Sequence, residues 1–107
     1  MTTFDERERS YEAKFAHDQE LRFKATARRD RYLGMWAAAQ MGLSGAAAED
    51  YAKEVVRSDF KHPGDADVIE KVLGDFNAKG VPIDEGTLKK KLIEFMAQAI
   101  VEIEAGR

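Results

Sequence analysis

Hydrophobic residues recur at helical rather than strand spacing along the chain, in four stretches separated by glycine-containing turns. The first stretch predicts one long helix from Thr3 to Met41, begun by a capping box between Thr3 and Glu6. Gly34 is its only internal glycine, at a position where a small residue lets a neighbouring helix approach closely. The stretch holds no proline, so nothing strong interrupts the helix before the stop at Met41–Gly42.

The apolar face of this first helix changes direction part-way along. Its first stripe consists of Phe4, Tyr11 and Phe15. Its second stripe consists of Leu21, Ala25, Tyr32 and Trp36. Six residues separate Phe15 from Leu21, where a continuous face needs seven, and at about 100° per residue this turns the apolar direction by several tens of degrees. We therefore predict that the second stripe faces the interior of a helix bundle and that the first projects beyond it.

Three shorter helices follow, each with a residue suited to start a helix and an apolar face. The first of them is capped by Ser44 and ends at Phe60, and the second is capped by Asp65 and ends before a turn over Lys79–Ile83. The third is capped by Asp84 and continues to Gly106. The positions predicted to be buried are Ala48, Tyr51, Ala52, Val55, Val56 and Phe60, then Val68, Ile69, Val72, Leu73 and Phe76, then Leu88, Leu92, Phe95, Met96, Ala99, Ile100 and Ile103. We predict an all-α fold, in which residues 20–107 form a four-helix bundle and residues 1–19 extend beyond it or are disordered.

Composition narrows the function classes. The chain has 107 residues and no cysteine, which excludes disulfides, thiol catalysis and thiolate metal sites. No apolar run approaches the roughly 20 residues of a membrane span, and acidic residues precede any apolar stretch at the N-terminus. We therefore expect a cytoplasmic protein that is not embedded in a membrane. The formal net charge of −3 disfavours a nucleic-acid partner.

The sequence contains no catalytic or metal-binding constellation. His17 and His62 are 45 residues apart and neither has a second histidine at ligand spacing, so we expect surface or capping roles for both. Glu8 and Glu12 share a helix turn, but no enclosing pocket is predicted that would make either one a general acid. We predict that the chain is not an enzyme and that it requires no metal or cofactor.

A basic stretch occupies residues 21–31, and two interpretations of it are open. Its cations are Arg22, Lys24, Arg28, Arg29 and Arg31. In the first interpretation they form a solvated outer face, where arginine stems cover apolar neighbours. In the second they face phosphates or the acidic groups of a partner. Trp36, just beyond this stretch, is predicted to be core rather than a platform for a ligand.

The chain also carries a family resemblance. The stretches that carry it are Thr2–Glu8, Glu12–Asp18, Ala27–Arg29, Leu33–Gly34, Trp36–Ala38, Tyr51–Val56 and Asp59–Phe60. Together they resemble the zeta-subunit family, small inhibitor subunits of the F-type ATP synthase of α-proteobacteria. The resemblance implies a four-helix bundle with a mobile N-terminal inhibitory segment, which becomes helical as it enters a catalytic interface of the synthase head. There it would block ATP hydrolysis by stopping rotation. The resemblance also implies ADP or ATP as a regulatory ligand.

Residues 1–19 have the character of a segment that folds on binding, since they favour helix but cannot bury their own apolar side chains. The catalytic head of the synthase is the expected partner, at the inner face of the plasma membrane. We expect the apolar anchors to be Phe4, Tyr11 and Phe15. We expect charge pairing around them from Asp5, Arg7, Glu8 and Lys14.

Two other hypotheses remain open. In one, the chain is a sensor module that binds ADP or ATP through basic and aromatic side chains and the free N–H groups at the start of the second helix. The residues of that site would be Arg28, Arg29, Tyr32, Trp36, Ser44 and Gly45. In the other, the chain forms a homodimer through the stripe of Phe4, Tyr11 and Phe15. We expect the free chain to be a monomer.

Overall fold

The computed structural model describes residues 19–62 and 64–107. These residues form four α-helices and no strand: α1 (Gln19–Gln40), α2 (Gly45–Asp59), α3 (Ala66–Lys79) and α4 (Glu85–Glu104). The all-α, four-helix prediction is confirmed. The predicted start of the first helix at Thr3 and the extension of residues 1–18 beyond the bundle lie outside the described residues. None of the helices in the described ranges is long and apolar enough to cross a membrane.

The core lies where α1 packs against α2 and α4, with α3 closing the bundle. Its central residues are Leu33, Ala37, Ala38, Ala48, Tyr51, Val55, Val68, Val72, Phe76, Leu88 and Leu92. The predicted inner faces of α2, α3 and α4 supply most of these side chains. Several other positions predicted to be buried are only half-buried: Val56, Ile69, Leu73, Phe95, Met96, Ile100 and Ile103.

In the second half of α1, the inner face is centred one residue after the predicted positions Tyr32 and Trp36. Leu33 and Ala37 are fully buried, whereas Tyr32 and Trp36 are half-buried on its flanks. One residue of offset turns the helix by about 100°. The predicted face is correct at Ala25, which is fully buried, and wrong at Tyr32 and Trp36, whose places in the core are taken by Leu33 and Ala37.

At Gly34 the backbones of α1 and α2 lie very close together. A Cβ atom built on Gly34 would lie 2.6 Å from the Cα atom of Ala52, a distance that side chains do not tolerate. The glycine therefore lets the two backbones approach more closely than any other residue would, as predicted.

Some helix ends have the conformation or cap that the local sequence predicts, and others do not. Gly42 and Gly80 have φ angles of +79° and +72°, the left-handed conformation that glycine adopts at helix ends. Asp84 caps α4 as predicted, because its Oδ1 accepts a hydrogen bond of 2.8 Å from the Thr87 N–H. Ser44 stands at the N-cap of α2 but makes no side-chain capping bond. Asp65 makes none either, since its carboxylate binds a side chain of α1 instead.

Candidate functional site

The end of the bundle at which α1 begins carries three groups of side chains that contact the other helices. This end collects the first half of α1, the end of α2, the start of α3 and the end of α4. It is also where residues 1–18 join the bundle. The three groups are a buried ionic cluster, an arginine-lined cleft and a stacked aromatic pair.

The buried ionic cluster is centred on Arg29, whose side chain is only 5% exposed. Its Nε donates to Asp30 Oδ1 at 2.9 Å. Its Nη2 donates at 3.0 Å both to Asp59 Oδ2, at the end of α2, and to Asp65 Oδ1, before α3. One guanidinium therefore links three helices, and the planar fork of arginine donors suits this geometry.

Asp30, beside Arg29 in sequence, is fully buried and faces Asp59. Asp30 Oδ2 and Asp59 Oδ1 are buried and receive no hydrogen bond from the described part of the chain. Burial raises the pKa of Asp30 to about 9, and its hydrogen bond to Asp59 and the charge of Asp59 act in the same direction against the lowering effect of Arg29. The raised pKa favours the protonated form of Asp30, whose hydroxyl can donate to the carboxylate of Asp59.

This cluster corrects the interpretation of the basic stretch as a solvated face at Arg29, while Arg22, Lys24 and Arg31 are exposed as that interpretation expects. Arg31 does lie at the surface, paired with Glu49 at 3.0 Å, but Arg29 faces inward. Because burying a charge is unfavourable unless it is paired, a sequence pattern normally assigns such an arginine to the outside. The only local signal was the adjacent Asp30, and its other partners are 30 and 36 residues away.

The arginine-lined cleft lies between α1 and the end of α4. Tyr32 Oη donates to Glu102 Oε1 at 2.5 Å, and Arg28 Nη1 donates to the same oxygen at 3.3 Å. Gln98 Nε2 donates to the other oxygen of Glu102 at 3.1 Å. These hydrogen bonds, with that from Tyr32 the strongest, lower the pKa of Glu102. The cavity measures about 660 Å³ and is lined by Ala27, Arg28, Arg31, Tyr32, Val56, Glu102 and Arg107.

The residues predicted to bind nucleotide do not form one cluster. Arg28 and Tyr32 share the cleft, but Arg29 is directed into the buried cluster. Trp36 packs edge-on against the core residue Phe76, with ring centroids 5.8 Å apart. The last two, Ser44 and Gly45, are exposed at the start of α2 and do not line the cleft.

The stacked aromatic pair joins Phe23 of α1 to Phe60, the residue after α2. Their ring centroids are 4.6 Å apart and the ring planes differ by 27°. Phe23 is 58% exposed and Phe60 is 43% exposed, so the prediction that Phe60 is buried was wrong. Phe60 pairs with Phe23 at the surface because α2 ends at Asp59, whose side chain takes the inward position.

Comparison with known protein families decides what kind of chain carries these groups. A family described as ATPase inhibitor subunit zeta matches residues 1–102. The chain belongs to this zeta family. Its fold is similar to that of a chain solved by solution NMR, with 39% sequence identity and a TM-score of 0.71, and the match covers 81% of this chain and 99% of that chain. No curated protein sequence matches it.

The zeta family is one of inhibitor subunits, and its match includes the N-terminal segment. All of the residues predicted to bind the synthase fall in that segment, outside the described residues: Phe4, Asp5, Arg7, Glu8, Tyr11, Lys14 and Phe15. His17 lies there too. His62 is at the surface, as predicted, where its Nδ1 lies 2.6 Å from Asp67 Oδ2. Within the described ranges, no group of three histidine or carboxylate side chains is arranged to hold a metal ion.

Proposed function

We propose that this zeta-family chain is a regulatory inhibitor subunit of the F-type ATP synthase. In this proposal residues 1–19 enter a catalytic interface of the head as a helix and block ATP hydrolysis by stopping rotation. The observation that carries the proposal is the family match over residues 1–102, which includes the N-terminal segment as well as the bundle. The chain acts by binding and catalyses no reaction itself. It would work in the cytoplasm, at the inner face of the plasma membrane.

The bundle is suited to hold such a segment firmly. A helix that stops a rotating assembly transmits force to whatever it is attached to. Arg29 ties the first half of α1 to the end of α2 and to the residue before α3, and Tyr32 ties it to α4 through Glu102. The helix that carries the segment is therefore joined to all three other helices, which supports a role as a fixed mount.

The apolar anchors of the segment account for part of the binding free energy. Burying one large side chain contributes about 1.5–3 kcal/mol, so Phe4, Tyr11 and Phe15 together contribute several kcal/mol. Ordering the backbone costs about 1–2 kcal/mol per residue, and some fifteen residues are to be ordered. Further contacts with the head are therefore required.

The test is ATP hydrolysis by the isolated synthase head, titrated with the full-length chain. We expect the Tyr11→Ala/Phe15→Ala variant to lose inhibition, because two of the three anchors are removed. The matched control is Ile93→Ala/Val101→Ala, which trims two exposed side chains on α4 and is expected to inhibit like the wild type. Full inhibition by the Tyr11→Ala/Phe15→Ala variant would show that the segment is assigned wrongly.

A second candidate function, binding of ADP or ATP, is favoured by one specific observation. Three arginines, Arg28, Arg31 and Arg107, line the cleft beside the Tyr32 ring, which is a suitable environment for phosphates and a base. Glu102 occupies the same cleft and opposes an anion unless it moves away. Titration with ATP, followed by amide chemical shifts, tests the proposal. Unchanged shifts throughout α1 and at the end of α4 would eliminate it.

A further inference from the structure

The aromatic pair of Phe23 and Phe60 stands over an apolar groove between α1 and α2. The groove measures about 430 Å³, and its floor is formed by Ala27, Ala52 and Val56. Stacking the two rings against each other removes only part of their hydrocarbon surface from water, since about half of each remains exposed. Exposed apolar surface that is contiguous rather than scattered is typical of an interaction site.

The rim of this groove carries two cations that form no salt bridge within the described part of the chain. Lys53 and Arg57 on α2 line the groove and form no salt bridge with any residue in the described ranges. On the opposite rim, Arg31 is paired with Glu49. The groove therefore presents an apolar centre beside two free positive charges, which complements a surface with an apolar side chain flanked by acidic ones.

The position of the groove indicates which partner presents that surface. Phe23 is four residues after Gln19, about 6 Å along the helix axis. If residues 1–19 are bound in a catalytic interface, as the proposed function requires, the groove would lie close to the surface of the head beside that interface.

We propose that the groove formed by Phe23, Phe60 and the α1–α2 surface between them is a second docking site for the catalytic head of the ATP synthase. It binds an apolar side chain of the head at the aromatic pair, while acidic groups of the head pair with Lys53 and Arg57. This inference rests on the proposed function and supplies contacts that the three anchors of residues 1–19 do not provide.

The test uses the full-length chain in the same inhibition titration. One variant, Phe23→Ala/Phe60→Ala, removes the apolar centre, and its matched control is Ile93→Ala/Val101→Ala on α4. The other variant, Lys53→Glu/Arg57→Glu, reverses the rim charge. Its control, Lys79→Glu/Lys90→Glu, makes the same change in net charge at exposed positions on α3 and α4. Circular dichroism checks that each variant is folded, and the charge variant serves alone if the aromatic variant does not fold.

We expect each groove variant to raise the concentration for half-maximal inhibition by about tenfold or more, the effect of losing an interface hot spot. Inhibition should still be complete at saturation, because residues 1–19 are intact. The two controls should titrate like the wild type. Added salt should weaken the wild type more than the charge-reversed variant, since only the wild type has an attraction at the groove rim to lose.

Three results would overturn the inference while the proposed function stands, provided that Tyr11→Ala/Phe15→Ala loses inhibition. The groove variants would titrate like the wild type if the groove does not contact the head. They would inhibit at lower concentration if the groove holds residues 1–18 of its own chain. A wild-type dimer in sedimentation that the Phe23→Ala/Phe60→Ala variant abolishes, with inhibition unchanged, would assign the groove to a second copy. If Tyr11→Ala/Phe15→Ala inhibits fully, both proposals fail.

Discussion

The guanidinium of Arg29 and the carboxylate of Asp59 meet 3.0 Å apart inside the bundle, each with a side chain about 5% exposed. This contact joins the first half of α1 to the end of α2. The same nitrogen reaches Asp65, so the two ends of the α2–α3 connection are held by one side chain. The structural consequences of this arrangement can be measured without the synthase.

Removing Arg29 is expected to destabilise the bundle strongly. Arg29→Ala leaves buried carboxyl groups without a counter-charge, which typically costs about 3–5 kcal/mol of the free energy of unfolding. Arg31→Ala is the control, because Arg31 and Glu49 are both about half exposed and such pairs contribute about 1 kcal/mol or less. Urea denaturation measures both. Equal losses for the two variants would contradict the role of Arg29 as a buried link.

Because folding raises the pKa of Asp30, the free energy of unfolding should fall as the pH rises. The pKa of Asp30 rises from 3.8 to about 9 on folding, so between these values the folded state binds more protons than the unfolded state. This contribution to the free energy of unfolding is complete below pH 3.8 and is lost as the pH rises toward about 9.

Asp30→Asn tests this assignment, because asparagine keeps a hydrogen-bond donor toward Asp59 and cannot ionise. Urea denaturation at a series of pH values should give a flatter pH dependence for this variant than for the wild type. Glu94→Gln, at an exposed position outside the Arg29 cluster, should keep the wild-type slope. Equal slopes for the wild type and Asp30→Asn would show that Asp30 does not hold the proton.

Two helical glycines should respond to alanine with opposite signs. Gly34→Ala forces a Cβ against Ala52 and is expected to destabilise by about 1–3 kcal/mol through overpacking. Gly74→Ala, in the interior of α3, meets nothing within 4 Å and is expected to stabilise by about 0.5–1 kcal/mol, because alanine favours helix. Thermal or urea unfolding measures both, and a destabilised Gly74→Ala would show that α3 has close neighbours at that position.

The two helix starts that look alike in sequence should also differ. Asp84 accepts a hydrogen bond from the Thr87 N–H, which lowers its pKa, whereas Ser44 makes no capping bond. Asp84→Ala should therefore lower the melting temperature more than Ser44→Ala does. Because the folded state holds Asp84 ionised, its contribution fades as the pH falls through its folded pKa. A Ser44→Ala variant that is the less stable of the two would rule out this difference in capping.

Helix boundaries could be predicted because their causes are local. Gly42 and Gly80 end helices through a backbone conformation that the residue type itself allows. The Asp84 cap needs only the residues that follow it. The family resemblance was equally accessible, since it is carried by short stretches of sequence, and the match over residues 1–102 confirms it.

The side-chain clusters of the site could not be predicted because each needs partners that are distant in the chain. Arginine is normally exposed and phenylalanine is normally buried. In this fold Arg29 is buried and Phe60 is exposed. Arg29 is buried because Asp59 and Asp65 converge on it, and Phe60 is exposed because Phe23 stacks on it there.

The sequence by itself therefore determined the helices, their order and the family, because helix formation and capping depend on residues a few positions apart. Only the tertiary structure decided which face of α1 is inside and which charges are buried. The rotation of α1 that packs Gly34 against Ala52 is also the one in which Arg29 is buried and Phe23 lies at the surface. Which face of α1 is buried depends on how the surfaces of two helices fit together, and the spacing of residues along one helix does not specify this.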